Sequence, residues 1–345
     1  MLASKIVTEF QIAHPNLVKA MRECSHHYDE TTINPYHKEG DIFTHSMLVV
    51  HEMSKLYPDN HDLYAALLHD IGKPNSVTYD HEKKRKRFFG HEGMSTYMAI
   101  DLFDNSTDIL GIILILNLIS HHQIFFRSEE NKSDLTEMFK GNQEYYAKLL
   151  KLWYADTFGR FVDEEKYQKS LEMYEYLKEK KLTIDSALPV INPDLPEVIL
   201  MVGPPASGKS TYAKTLGLPI LSRDDIVNEL GGDSDYNVNW NKVEQKEVDR
   251  LFNSRLVELK RKKQSFVIDC CNMSRKSRRS KLAQISTKDF TRKAVVFYTG
   301  LKECLKRNEA RGGKRLDPKI IHKHISMFCA PLYDEVDTID YMLYN

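Results

Sequence analysis

The sequence predicts two domains, an all-α domain followed by an α/β domain built on a parallel sheet. Three observations predict it. The chain has 345 residues, a length that suggests two domains. Up to about residue 180, apolar residues recur at three- and four-residue spacing, as in "HSMLVVHEMSKL" and "LYAALLHDI", the period of helices with one inward face. After about residue 197, the short apolar runs "VILMVG", "FVIDCCN" and "AVVFYTG" alternate with helical sequence, the pattern of strands joined by crossover helices.

One segment breaks the helical pattern of the first half. "NSVTYDHEKKRKRFFGHEG" holds two short β-like pieces around a charged turn and is expected to form a small hairpin. The apolar run "ILGIILILNLIS" from Ile109 is about half a membrane span and is expected as a buried helix. "LKEKKLTIDSALPVINPDLPE" mixes charge with three prolines and lacks periodicity. It places a linker at 181–196, between a first domain at 1–180 and a second at 197–345.

Formal net charge is zero, so any attraction to polyanions has to come from local patches. The five cysteines show no CxxC spacing, which argues against a disulfide framework or a thiolate zinc site and fits a reducing cytoplasm. The N-terminus lacks the apolar core of a signal peptide. A cytoplasmic protein with no membrane partner is expected.

In the second half, "GPPASGKST" fits G-x-x-x-x-G-K-[ST] at every defined position. The glycines Gly203 and Gly208 let backbone N–H groups curl around phosphate oxygens, and Ser207 and Thr211 lie within the loop and at its end. Lys209 reaches the terminal phosphates, and Ser210 ligates Mg²⁺. ATP or another nucleoside triphosphate with Mg²⁺ is the expected cofactor. "LSRDDIV" then falls at the carboxyl end of the second strand, the edge that faces the ligand crevice of an open α/β sheet. Asp224 there suits a group that accepts a proton from an attacking hydroxyl, with Arg223 steadying it. Asp224 or Asp225 ahead of "IVNEL" is equally good helix-capping chemistry. Arg311, beside Gly312 and Gly313, is placed to swing over a triphosphate and neutralise transition-state charge. The basic runs "CLKRNEARGGKR" and "SRKSRRSK" read either as solvated helix faces or as walls of a nucleic-acid groove.

Residues 198–345 resemble the phage-type 5′-hydroxyl polynucleotide kinases through "GPPASGKST", "SRDD", "IDCCNMSRKSRR" and "KRNEARGG". The resemblance implies that Asp224 is the general base for the 5′-hydroxyl and that Arg311 is the lid arginine on the donor phosphates. The sequence departs from that family at Val227, where many members carry an arginine for the acceptor's 3′-phosphate.

In the first half, imidazoles and carboxylates gather in a fixed order: His45, adjacent His69 and Asp70 in "LLHDIGKP", His91, adjacent His121 and His122, and Asp156. Mixed nitrogen and oxygen donors suit Mn, Fe, Co, Ni or Zn rather than Mg or Ca. Ligands from separate helices can converge on one ion in a bundle core. "KKRKR" at 83–87 reads either as a solvated hairpin tip or as a loop that draws in a polyanion. The order H…HD…H…H…D resembles the HD phosphohydrolase superfamily over about residues 30–165, and "NPYHKEGDIFTH", "LLHDIGKP" and "FFGHEG" look like the HD domains attached to bacterial CCA-adding enzymes. It implies one or two divalent transition metals. His45, His69, Asp70 and Asp156 would hold the first. His91, His121 and His122 would hold a second or contact phosphate, and Lys73 would bind the scissile phosphate.

Together the halves resemble bacterial bifunctional HD-domain polynucleotide kinases. The activity implied is healing of nucleic-acid ends, RNA more than DNA: a 5′-phosphate is added, and a 2′,3′-cyclic, 2′- or 3′-phosphate is removed. A separate RNA ligase would be the functional partner. Two other readings stand beside it. One is a nucleotide-metabolism enzyme joining a nucleotidase to a small-molecule kinase. The other is a binding module whose first half is a degenerate sensor.

Overall fold

The computed structural model describes residues 2–103, 108–126, 134–185, 187 and 190–344. They form two compact units, Met1–Leu188 and Pro189–Asn345. The linker expected at 181–196 lies partly outside the described residues, at 186, 188 and 189, and its first residues belong to a helix.

The first unit is a helical bundle of α1 (Leu2–Ala13), α2 (Pro15–Glu23), α3 (Ile42–Ser54), α4 (Asn60–Leu68), α5 (His91–Ile100), α6 (Ile109–His121), α7 (Leu135–Met138), α8 (Gln143–Phe158) and α9 (Glu164–Thr183). Local chemistry sets the helix starts. The Asp41 carboxylate accepts the Thr44 N–H at 2.8 Å and opens α3. Asp59 and Asp62 form a reciprocal capping box at α4. α3 packs on α4 and α8, and α6 packs on α4 and α5. α6 is apolar almost all round, with Ile112, Ile113, Ile115, Leu116, Leu118 and Ile119 buried, as befits a helix enclosed by others. The stretch Ile109–Phe126 is long and apolar enough to cross a membrane by length and composition, at mean hydropathy 1.8, yet 56% of it is buried inside this unit. The expected hairpin is present. β1 (Thr78–Asp80) pairs antiparallel with β2 (Arg85–Arg87), placing Tyr79 opposite Lys86.

The second unit has a five-stranded sheet in the order β4-β5-β3-β6-β7, with every pairing parallel. The strands are β3 (Glu197–Val202), β4 (Ile220–Ser222), β5 (Phe266–Asp269), β6 (Thr291–Thr299) and β7 (Thr338–Tyr344). The helices are α10 (Lys209–Thr215), α11 (Arg223–Gly231), α12 (Tyr236–Lys242), α13 (Gln245–Arg261), α14 (Arg275–Leu282), α15 (Leu301–Glu309) and α16 (Pro318–Ser326). Ile199, Met201, Val267, Val295 and Phe297 from the central strands pack with Ala213 of α10 in one core. The chain runs from β3 to strands on one side of it and then returns to the other side. The reversal leaves a crevice outside the carboxyl end of β3, where ligands bind in open α/β sheets.

Candidate functional site

The helical unit gathers donors at helix ends. His45 sits one turn into α3. His69 and Asp70 follow the last turn of α4, and His91 begins α5. His122 caps α6, and Asp156 lies in the last turn of α8. Gly72 makes the convergence possible. A Cβ there would lie 2.4 Å from the Ser95 backbone nitrogen and 2.8 Å from the His91 carbonyl oxygen, so only glycine lets this turn close on α5.

Backbone acceptors fix the imidazoles. His69, His91 and His122 place Nδ1 at 2.8, 2.7 and 2.7 Å from the carbonyl oxygens of Ala66, Phe88 and Ile119. Each Nδ1–H donates there, which leaves each Nε2 as a lone pair turned inward. His45 turns Nδ1 toward Glu39 Oε1 at 3.0 Å and Nε2 toward Asp156 Oδ1 at 3.1 Å. Asp70 stands between two sets. Its Oδ2 lies 3.2 Å from His69 Nε2 and 3.6 Å from His45 Nε2, and its Oδ1 lies 3.2 Å from His91 Nε2 and 3.7 Å from His122 Nε2. His91 Nε2 and His122 Nε2 face each other at 3.1 Å.

All these groups are buried: His45, His69 and His122 are 0% exposed and Asp70 is 1% exposed. Burial works against the charge of Asp70, yet His69 and Lys73 hold its carboxyl well below the usual range. Arg160 does the same for Asp156 against the cost of burial. Burial, with His91 and His69 beside it, pushes His122 down to about 3, so it is neutral and free to ligate. His69 Nε2, Asp70 Oδ1 and Asp156 Oδ2 make no hydrogen bond among the described residues, and Asp70 Oδ2 is met by the Lys73 ammonium. Orphaned buried donors of this kind are costly without a cation, so the residues fit one. Three sets have metal-ligating spacing among the described residues: His45–His69–Asp70, Asp70–His91–His122 and, beside them, His26–His37–Glu39.

Of the adjacent pair expected there, His122 lies in the second set, and His121 Nδ1 lies 2.7 Å from the Tyr145 hydroxyl. Lys73 is buried beside the cluster, 2.6 Å from Asp70 Oδ2, and donates to His26 Nε2 at 2.9 Å. Sequence reasoning passed over His26, His37, Glu39 and Arg160. Glu39 faces both His37 and His45, and Arg160 pairs with Asp156 Oδ1 at 2.8 Å one turn along. The i, i+4 spacing of Asp156 and Arg160 is the one signal that could have found Arg160.

In the second unit, the segment 203–211 joins β3 to α10 at the sheet's carboxyl edge. A Cβ on Gly203 would meet Ser207 Oγ at 2.8 Å and Phe297 Cβ at 2.9 Å, and Gly208 has φ 97°. Both positions need glycine. Ser207 is buried, and its carbonyl oxygen accepts the Thr299 hydroxyl at 2.9 Å. Lys209 folds back on the loop, donating to the Pro204 carbonyl oxygen at 2.6 Å and approaching Ser207 Oγ at 3.3 Å. Ser210 and Thr211 are exposed at the start of α10. A cavity of about 550 Å³ in the helical unit is separate from the metal-type cluster. A hollow of about 530 Å³ opens beside the loop and is lined by Gly208, Thr211, Arg307, Arg311 and Tyr344 among others. Arg311 is thus at the loop, and Arg307 joins it.

Asp224 is not the helix cap. Ser222 caps α11, accepting the Asp225 N–H at 3.1 Å. The Asp224 carboxylate instead accepts the Tyr236 hydroxyl at 3.0 Å and pairs with Lys314. Burial raises its carboxyl, but Lys314 and Tyr236 outweigh this and hold it below the ordinary aspartate range. Arg223 does not steady it, because its guanidinium pairs with Asp249 at 3.0 Å and covers Trp240. The segment after Arg311 is tied to its surroundings by hydrogen bonds. Asn308 brackets Leu316 through its amide and carbonyl groups at 2.8 and 3.0 Å, and Tyr236 N–H donates to the Gly313 carbonyl oxygen at 2.8 Å.

Within the run at 274–281 only Arg278 faces inward, while Lys276 and Arg279 stay exposed. Arg278 is fully buried and forked onto Glu335 at 2.9 Å, while Arg275 and Arg279 both pair with Asp334. Val227 is 0% exposed, a core residue of α11.

Comparison with known proteins agrees with these two constellations. The model of a family described as an HD domain matches residues 42–160, and that of a family described as an AAA domain matches residues 198–326. Among solved structures, a gluconokinase from Sinorhizobium meliloti 1021 is similar at 17% identity over 42% of this chain and 82% of its own, with a TM-score of 0.29. No curated protein sequence matches. The chain carries a helical HD phosphohydrolase-type domain, with its His/Asp cluster, followed by a P-loop kinase-like domain on a five-stranded parallel sheet.

Proposed function

We propose that the protein heals broken nucleic-acid ends, RNA above all: the P-loop unit phosphorylates a 5′-hydroxyl, and the HD unit hydrolyses a 2′,3′-cyclic, 2′- or 3′-phosphate. The observation that carries it is Asp224. A carboxylate held ionised by Lys314 and Tyr236 just past the carboxyl end of β4, at the same sheet edge as the phosphate loop, can receive a hydroxyl proton. The acceptor oxygen forms a bond to the γ-phosphorus, the bond to the β-γ bridging oxygen breaks, and the nucleoside diphosphate leaves. Lys209, Arg307 and Arg311 surround the loop with positive charge where negative charge moves.

In the helical unit, His45, His69, Asp70, His91, His122 and Asp156 would hold divalent metal. When bound, the metal supplies Lewis-acid charge and lowers the pKa of water at neutral pH. Glu39 and Arg160 orient His45 and Asp156, and Lys73 has a donor left for a phosphate oxygen. The products, a 5′-phosphate and a free 3′-hydroxyl, are the ends a ligase joins.

The test incubates the protein with ATP, Mg²⁺ and a transition metal, and an RNA bearing a 5′-hydroxyl and a 2′,3′-cyclic phosphate. Both ends are then mapped. Conversion of both supports the proposal. Mononucleosides phosphorylated as fast as oligonucleotides would place the chain in nucleotide metabolism instead.

A further inference from the structure

We propose that the β1–β2 hairpin is a stacking platform for single-stranded nucleic acid that leads a strand into the HD cluster. Four observations meet there. The hairpin exposes aromatic faces: Tyr79 is 52% and Phe89 66% exposed. Tyr79 is not isolated, since His81 stacks parallel to it at 10° with centroids 6.0 Å apart. Tyr28 braces both edge-on and meets His81 Nδ1 through its hydroxyl at 2.8 Å.

Cations alternate with these rings. Lys86 lies over Tyr79 at 5.6 Å and Arg87 over Phe89 at 5.3 Å. Lys83 and Lys84 are exposed at the turn, while Asp80 holds Arg85 and Arg87 in place. Finally, the platform is continuous with the cluster. Phe88, between Arg87 and Phe89, gives its carbonyl oxygen to His91 at 2.7 Å, and its ring lies 5.5 Å from Lys73 Nζ and 5.8 Å from the His26 ring.

Rigid aromatic faces interleaved with Lys and Arg are the features by which proteins hold single strands, bases on the rings and phosphates on the cations. A membrane surface or an acidic protein would use the charge but not braced, parallel ring faces. A duplex would offer phosphates and no base faces. The occupant is therefore a single strand whose terminal phosphate lies at Lys73 and His91, with the preceding nucleotides on Phe89 and Tyr79. This rests on the reading of the helical unit as a phosphoesterase of nucleic-acid ends.

The experiment has two arms on the full chain. In the first, the full-length protein hydrolyses a 3′-phosphorylated mononucleotide and a 3′-phosphorylated ten-nucleotide strand. The wild type is expected to favour the longer substrate, and Tyr79→Ala to cut that preference about tenfold, within the range for one lost base–aromatic stack, with Tyr79→Phe restoring it. In the second, a labelled strand with hydroxyls at both ends is titrated by anisotropy, so binding is read without catalysis. Tyr79→Ala should weaken it about tenfold while leaving inorganic polyphosphate binding in place, and Lys83→Ala with Lys84→Ala should weaken both. Equal loss of strand and polyphosphate binding in Tyr79→Ala, or no change in either arm, overturns the platform. A wild type that binds the strand through Tyr79 but hydrolyses neither substrate upholds the platform and overturns the phosphoesterase reading.

Discussion

Glu39 and Arg160 show how little a ligand does alone. Glu39 faces His45 Nδ1, and Arg160 anchors Asp156, whose other oxygen is left for a cation. Removal of such partners commonly lowers metal affinity about 10–100-fold. Glu39→Ala and Arg160→Ala should each do so in a chelator-competition titration, with kinase turnover intact. Asp224 offers a pH test. Its carboxyl is depressed in the fold, so it stays ionised as pH falls until below the ordinary aspartate value of about 3.9. The acid limb of kinase kcat/KM should sit below that value and move upward in Lys314→Met; a limb that stays in place removes Lys314 from this role. Val227 offers a third test. It is buried, and Arg275, Arg278 and Arg279 are committed to Asp334 and Glu335. The kinase should therefore favour a 3′-mononucleotide over its nucleoside by less than about a hundredfold in kcat/KM, lacking a charge-assisted contact of roughly 1.5–3 kcal/mol. His45, His69, Asp70, His91 and Asp156 were legible as donors from residue type and order. The choice between His121 and His122 was not. α6 is apolar almost all round, so its hydrophobic pattern gives no phase to say which residue points inward.

At the scale of elements, periodicity recovered the helices and the central strands because their apolar faces repeat locally. It did not reveal that α14 turns Arg278 inward, since its partner Glu335 lies more than fifty residues away. β7 was also missed. Its residues are only half-buried at the sheet's edge, so its pattern is weak. Gly72 gives this scale its prediction. Gly72→Ala drives a methyl group into the Ser95 backbone nitrogen, and overpacking of a closed turn costs on the order of 1–3 kcal/mol. The helical unit should melt earlier by calorimetry, and HD activity should fall before unfolding, because the same turn carries Asp70 and Lys73.

For the whole molecule, the two-domain architecture followed from a single change in pattern near residue 197, the point where a strand-and-helix alternation replaces helices alone. Each unit holds a complete donor set of its own, so the activities should separate. Lys209→Ala should abolish 5′-phosphorylation and spare end hydrolysis, and Asp70→Asn should do the reverse. Stripping transition metal and supplying Mg²⁺ should leave the kinase running and silence the other unit, because nitrogen donors select against Mg²⁺. Loss of both activities in one folded variant would point to a shared site.

The two oxygens of Asp70 belong to different donor sets, one turned to His45 and His69, the other to His91 and His122. Two cations taken up here would share one negative charge. The set filled first would hold its cation with the full charge of Asp70, and the other set would hold its cation with a charge already shared. Filling should then be stepwise, with two dissociation constants well apart in calorimetry, and Asp70→Asn should weaken both steps at once rather than erase one.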